Sequence, residues 1–488
     1  MKKIAIAGVA TAALCVSLAA QDRVDFGVIE KIRAEGMERS KVLETFDYLT
    51  SAIGPRLTNS PAHKRAVTWT QEQMKAMGLS DVHAEAFQFG RGWTLNKVTI
   101  EMVEPRYMPL IGYPRGWSPA TAGRIVATPV WMPGLEADAM KAQAGKLKGA
   151  ILFTSPLQRY AIRADRPAAS GDLKAPTPAP VRAPNLNAER LAALKAEGVA
   201  VTIEPNIGEH GTVFVTGRDM GANAVPSIIL ASEHYNLIAR MLQQKIPVKL
   251  AVELQATFND EDRNTHNVIA DLPGTDNALK DEIVMVGAHL DSWHTGTGAT
   301  DNADGSATVI EAMRILKALN IRPRRTIRAA LWAGEEQGLL GSKAYVAEHL
   351  AGDKNKAARD KFSVYFNLDN GYPPISGFYM EGNDPARAIM TDWLKPVSGI
   401  GAIIPAPGHI GATDHLSFLE VGVPGFQAVQ EYSNYDVRTH HTNMDTAERI
   451  DPNALKQAAT VMAVVLYQAA MREGTFPKPA PPKVTAKQ

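Results

Sequence analysis

The chain has 488 residues, 45% of them hydrophobic, with 52 basic against 51 acidic side chains. That length exceeds one ordinary core and points to two domains with terminal extensions, and the apolar content excludes a disordered or fibrous chain. A net charge of +1 supplies neither the basic field that nucleic acid requires nor a polybasic patch for an anionic membrane, so neither is expected as a partner.

Residues 1–20 read as an export signal. Lys2 and Lys3 precede an apolar run from Ile4 to about Leu18, then Ala19 and Ala20 follow, and cleavage is expected after Ala19. The run is shorter than the roughly 20 apolar residues of a membrane-spanning helix, and no second stretch reads as long and apolar enough to span. A periplasmic or secreted location is the expectation. The one cysteine, Cys15, lies inside this segment, so an exported chain has no disulfide and relies on its core, on bound metal, or on both.

Helical patterns cover about 26–52 and 61–77, and the strand-like stretches VHAEAFQF (82–89) and KVTIEMV (97–103) open an α/β unit. Residues 111–259 read as an insertion. It carries strand-like GAILFTS (149–155), VAVTIEP (199–205) and GTVFVTG (211–217), with a Pro-rich stretch at 175–185. The α/β texture then returns with EIVMVGAH (282–289), an amphipathic helix over 305–319 presenting Val309, Ile310, Met313 and Leu316, and the strands TIRAALWAG (326–334) and FSVYFNLDN (362–370). This alternation predicts an α/β fold with a mostly parallel sheet flanked by helices, assembled from 22–110 and 260–475. Residues 476–488, rich in Pro and Lys, are expected to be a disordered tail.

Three apolar strands run into metal-capable residues: the first ends in His289, the second leads to Glu335 and Glu336, the third to Asp369. Ligands collect beyond the carboxyl ends of strands in such sheets, so these side chains should converge. GATDNADG places Asp301 in a Gly-rich turn before a helix, and a loop after the strand-like 422–430 carries His440 and His441. Each residue alone is more often a hydrogen-bonded structural group. Adjacent Glu335 and Glu336 at the end of an apolar strand are harder to explain so, because two carboxylates near a core need compensating cations. Three ligand carboxylates and two neutral imidazoles balance two zinc ions once a hydroxide bridges them. Mixed His and carboxylate donors favour zinc over calcium or magnesium, with cobalt or manganese also accepted. In this arrangement one Glu ligates while the other works as general base. Asp291 is placed to hold the second nitrogen of the His289 imidazole.

The segments GAHLDSW, GATDNADGSA, GEEQGLLGS, NLDN and HHTNMDT, in this order, resemble the co-catalytic two-zinc exopeptidases, which include secreted aminopeptidases and plasma carboxypeptidase Q. The resemblance implies Asp301 as bridging ligand, His289 and Asp369 on one zinc, Glu336 and His441 on the other, Glu335 as catalytic base, and a cis peptide after Asp301. It extends to IGPRLTNSPAHK, with Asn59 where relatives carry Gly, and implies that 111–259 is a protease-associated domain lying over the cleft. Many relatives have Tyr before the last ligand His. Here His440 stands there, so either His440 or Tyr435 would stabilise the oxyanion. His409, Asp414 and His415, in GHIGATDHLSF, are left outside the site. The implied substrate is a short peptide, cut by an aminopeptidase or by a carboxypeptidase or dipeptidase. A catalytically inactive binding module would have lost some of the six residues, and this chain keeps them all.

Overall fold

Thr326–Trp332, Ile283–His289, Phe362–Asn367 and Gly425–Glu431 lie side by side and parallel. Their near-continuous apolar sequence suits strands covered on both faces. In the computed structural model the described residues are 25–135, 142–158, 165–166, 188–208 and 210–478, so the export segment, the Pro-rich 175–185 stretch and residues 479–488 lie outside them. Four further strands, joined to this parallel centre by antiparallel pairing on each side, extend it into an eight-stranded sheet. Asn264–Leu272 and then Ser80–Gln88 add beyond Thr326–Trp332, while Tyr372–Tyr379 and then Ile404–Ala406 add beyond Gly425–Glu431.

Side chains alternate between the two faces, as strand geometry requires. Val284, Val286, Ala288, Ile327, Ala329 and Leu331 enter one core with the helices Asp304–Ala318 and Pro452–Met471, whereas Met285, Ala330, Trp332 and Tyr365 enter another with Phe418 and Tyr345. Val309, Ile310, Met313 and Leu316 of the amphipathic helix are all buried, as their spacing predicts.

Three features depart from the sequence reading. Pro452–Met471 is, by length and composition, long and apolar enough to cross a membrane, but 83% of its apolar window is buried, because it packs along Asp304–Ala318 and Phe26–Glu38. Phe476, read as the first residue of a solvated tail, is 2% exposed and sets its ring 5.5 Å from Trp393 and 5.4 Å from Phe426. The strand containing KVTIEMV, Gly92–Glu104, leaves the eight-stranded sheet. It pairs along its length with Lys249–Asn259, from Gly92 opposite Asn259 to Glu104 opposite Lys249, in a second, four-stranded sheet.

Beyond this ribbon, Gly112–Pro114, Ser227–Leu230, Val201–Pro205, Ile151–Phe153 and Val130–Trp131 form a five-stranded sheet. GTVFVTG (211–217) is not a strand of it. Its Phe214 instead forms an isolated bridge with Thr442, in the loop that follows the last parallel strand.

Replacing Phe476 by Ala should lower the unfolding free energy by about 3–5 kcal/mol, the usual range for a buried Phe. An unchanged denaturant midpoint would return this residue to the tail.

Candidate metal centre

The sheet order sets where the site forms. From the His289 strand the chain adds the Thr326–Trp332 strand on one side and the Phe362–Asn367 strand on the other, so the order reverses at His289. A crevice opens at such a reversal, beyond the carboxyl ends of the strands. Glu335 and Glu336 follow one neighbour of His289 and Asp369 follows the other. Asp301 sits just before the helix Asp304–Ala318, and the Asp301–Asn302 peptide is cis.

Asp301 joins the two halves of this group. Its Oδ1 lies 3.1 Å from His289 Nε2, which is also 3.5 Å from Asp369 Oδ1. Its Oδ2 lies 3.4 Å from His441 Nε2, which is 2.9 Å from Glu336 Oε2. Glu335 joins the first half, with a carboxylate oxygen within 4.8 Å of ligand atoms of His289 and Asp369.

These atoms fit cations better than they fit one another. His289 Nδ1 lies 2.9 Å from the carbonyl oxygen of Asp291, an acceptor, so Nδ1 carries a proton and Nε2 is the nitrogen turned toward two carboxylates. His289 Nε2, Asp301 Oδ2 and Glu336 Oε1 are buried and make no hydrogen bond. Burial, with Asp369, Asp414 and Glu336 nearby, pushes the Glu335 carboxyl well up, and burial with Asp301 does the same to Glu336. The carboxylates around His289 push its imidazole well above the usual range in spite of burial. At Asp301 the effect of burial is outweighed by the adjacent imidazoles of His289 and His441, which hold its carboxyl below the usual range. A divalent ion relieves all of these by taking the place of the shared protons.

The surrounding residues hold this frame in place. The carboxylate of Asp291 is 3.7 Å from His289 Nδ1, beyond a hydrogen bond, so the expected contact to the imidazole is made by the Asp291 main chain instead. Its side chain accepts from the Glu335 backbone N–H at 3.3 Å and lies 2.6 Å from Thr58 Oγ1, and thus fixes the residue expected to act as base. Asp445 accepts from both the backbone N–H and the hydroxyl of Thr300, at 2.6 and 2.8 Å, immediately before Asp301. Burial and the Asp301 charge push Asp445 up to about 7. Arg56, fully buried, donates to the carbonyls of Leu49, Gly54, Leu290, Thr297 and Gly298 and ties the opening loop to the Asp301 turn. Asn59 has φ 61°, the left-handed conformation that Gly adopts freely and Asn tolerates. Its amide donates to the carbonyls of Gly90 and Asp262.

Of the two oxyanion candidates, Tyr435 is 1% exposed, while the His440 side chain is 21% exposed. The Tyr435 ring is stacked behind that of His440, with centroids 5.1 Å apart, so His440 is the one open to a ligand. It also offers a nitrogen within 4.8 Å of ligand atoms of Asp301 and His441. Among the residues left outside the site, His409 is exposed, but Asp414 is fully buried beside it, and burial, with Asp369 adding to it, pushes its carboxyl up to about 7. His415 faces Glu381 at 3.2 Å. Asp414 was set aside in the sequence with His409 and His415, and Asp445 is the acidic group that sequence reasoning did not single out. Its place inside the HHTNMDT segment was the available signal.

Asp445→Ala leaves the Thr300 N–H and hydroxyl without their acceptor, and an expected loss of about 1–3 kcal/mol should appear in denaturant unfolding with chelator present. Unaltered unfolding would mean Asp445 gives the Asp301 turn no support.

Residues 267–466 match the model of peptidase family M28. The chain is 27% identical to carboxypeptidase Q of Bos taurus over 448 residues, covering 91% of this chain and 88% of that one. A crystal structure of a peptidase M28 precursor from Shewanella amazonensis superposes with a TM-score of 0.70 at 28% identity, covering 93% of this chain and 99% of the other. A zinc aminopeptidase from Bacillus subtilis, at 21% identity with a TM-score of 0.60 over 90% of this chain and 97% of its own, shares the fold. The matched segment runs from before His289 to beyond His441 and takes in every residue that meets at Asp301, so the part of the chain that builds this site is the part that is similar to peptidase family M28.

Proposed function

We propose that this metallopeptidase is a zinc exopeptidase that holds two zinc ions about Asp301, one with His289 and Asp369 and the other with Glu336 and His441. The observation that carries the reading is the division of Asp301, one carboxylate oxygen toward His289 and the other toward His441. Imidazole and carboxylate donors together favour zinc. When bound, such a pair of ions lowers the pKa of a shared water to about 7 and polarises the carbonyl of the bond to be cut.

The rest of the chemistry belongs to the protein. Glu335, whose main chain Asp291 fixes, takes the proton of the attacking water and delivers it to the departing amine. His440, on the open side of its loop, donates to the carbonyl oxygen as negative charge develops there. The substrate is a short peptide cut at its amino end. A second reading, cleavage from the carboxyl end or of dipeptides, is favoured by the match to carboxypeptidase Q along nearly the whole chain. The basic and apolar pattern of residues 2–20 places the enzyme in the periplasm or outside the cell.

Glu335→Gln should keep two zinc ions per chain and lose about 10²–10⁴-fold in kcat. Turnover near the wild-type level would remove Glu335 as base, and a wild-type chain that takes up no divalent ion would remove the metal reading altogether. Assays of one peptide with its amine blocked, its carboxyl amidated, or both ends free separate the readings. Loss on blocking the amine supports the first, loss on amidation the second, and loss in both cases a dipeptidase.

A further inference from the structure

The loop that carries His440 and His441 is gripped at two places by the 111–259 insertion. At one end Phe214 lays its ring on that of His441, with centroids 5.0 Å apart and planes 18° from parallel. The backbones are joined there too: Val215 N–H donates to the His441 carbonyl at 2.9 Å, and Val213 N–H to Asn443 Oδ1 at 2.6 Å. Val213 and Val215 are fully buried in a cluster with Trp93, Trp117 and Trp293, so this grip has a rigid base. At the other end Asp165 accepts from the N–H groups of Asn434 and Val437, at 2.6 and 3.1 Å. Next to it Arg166 makes a two-pronged pair with Asp436, both contacts at 2.8 Å, and reaches Asn370 Oδ1 at 3.2 Å.

Between these grips runs one column of flat groups. The Arg166 guanidinium lies 5.8 Å from the Tyr435 ring, Tyr435 is 5.1 Å from His440, His440 is 4.0 Å from His441, and His441 is 5.0 Å from Phe214. Both ends of the column belong to the insertion. Asp436, held by Arg166, in turn has Oδ1 3.6 Å from His440 Nδ1. His441 needs an outside hold, since its φ of 61° is one that a residue with a side chain keeps only when its surroundings fix it.

We infer that Phe214 and Arg166 are positioning residues for the peptidase site: Phe214 sets the His441 ring for its zinc, and Arg166, through Asp436 and Tyr435, sets the His440 ring for the substrate oxygen. The inference rests on the two-zinc reading and adds to it a dependence of one zinc site, and of one catalytic side chain, on the inserted segment. A bidentate guanidinium suits this task better than a Lys ammonium, which cannot hold both carboxylate oxygens in a plane.

The test compares wild-type, F214L, F214W, R166K and R166M chains. F214L keeps apolar volume and removes the ring, while F214W restores one. Zinc is titrated calorimetrically into metal-free protein, and thermal melts of the metal-free chains check folding. In F214L one of the two zinc affinities should fall by about 10–100-fold, the usual effect of removing support from a metal ligand, with the other unchanged and F214W close to wild type. In R166M both affinities should hold, while kcat falls by about 10-fold or more with KM little changed, as expected for a misplaced catalytic group, and R166K should lie between. Unchanged zinc affinities in F214L remove Phe214 from the proposal, and unchanged kcat in R166M removes Arg166. Two zinc sites in the wild type beside either result leave the functional reading standing, whereas a wild type without zinc overturns both.

Discussion

A buried carboxylate that faces two imidazoles at once sets the terms for everything around it. Asp301 turns one oxygen to His289 and the other to His441, and each imidazole is shared with a further carboxylate, Asp369 or Glu336. Charges this deep in a protein are costly unless paired, and here negative groups outnumber what the histidines can neutralise. Glu335, Glu336, Asp304 and Asp291 are all pushed upward by burial in the same small volume. The nearest buried guanidinium, Arg56, directs its hydrogen bonds to main-chain carbonyls and not to these groups. The excess is therefore left to divalent cations, and their binding is also part of the folding energy of this end of the sheet.

The scaffold delivers the groups by two routes of different stiffness. His289, Glu335, Glu336 and Asp369 emerge from parallel strands packed on both faces, so their positions follow from the core. Asp301 and His441 come from loops and need separate support, from Asp445 and Thr300 in one case and from the inserted segment in the other. The position of His441 thus depends on more of the tertiary structure than the position of His289.

Much of this was legible in the sequence, and the rest was not for identifiable reasons. Strand-end placement of His289, Glu336 and Asp369 could be read because apolar runs stop abruptly before them. Tyr372–Tyr379 escaped notice because Pro373 and Pro374 are poor strand signals, tolerated here toward the side of the sheet. Asp291 was placed near the right histidine, but which of its groups makes the contact is decided by the backbone turn after His289, which spacing does not encode. GTVFVTG has the composition of a strand and meets the loop of His441 by one isolated bridge, a contact between segments more than 200 residues apart. Phe476 looked like tail because Pro and Lys surround it, yet one aromatic ring sufficed to dock it.

The ribbon of Gly92–Glu104 and Lys249–Asn259 has a consequence of another kind. Because the outgoing and returning strands are paired from Gly92 and Asn259 at one end to Glu104 and Lys249 at the other, the chain departs and comes back at neighbouring points. Lengthening or shortening the sequence between Glu104 and Lys249 therefore leaves the spacing of those points untouched and shifts no strand of the eight-stranded sheet. Variation in that interval leaves the strand-borne residues His289, Glu336 and Asp369 in register, whereas the loop of His440 and His441 feels any change at Arg166 or Phe214. The strand-borne half of the site is thus insulated from changes in the length of that interval, and the loop-borne half is not.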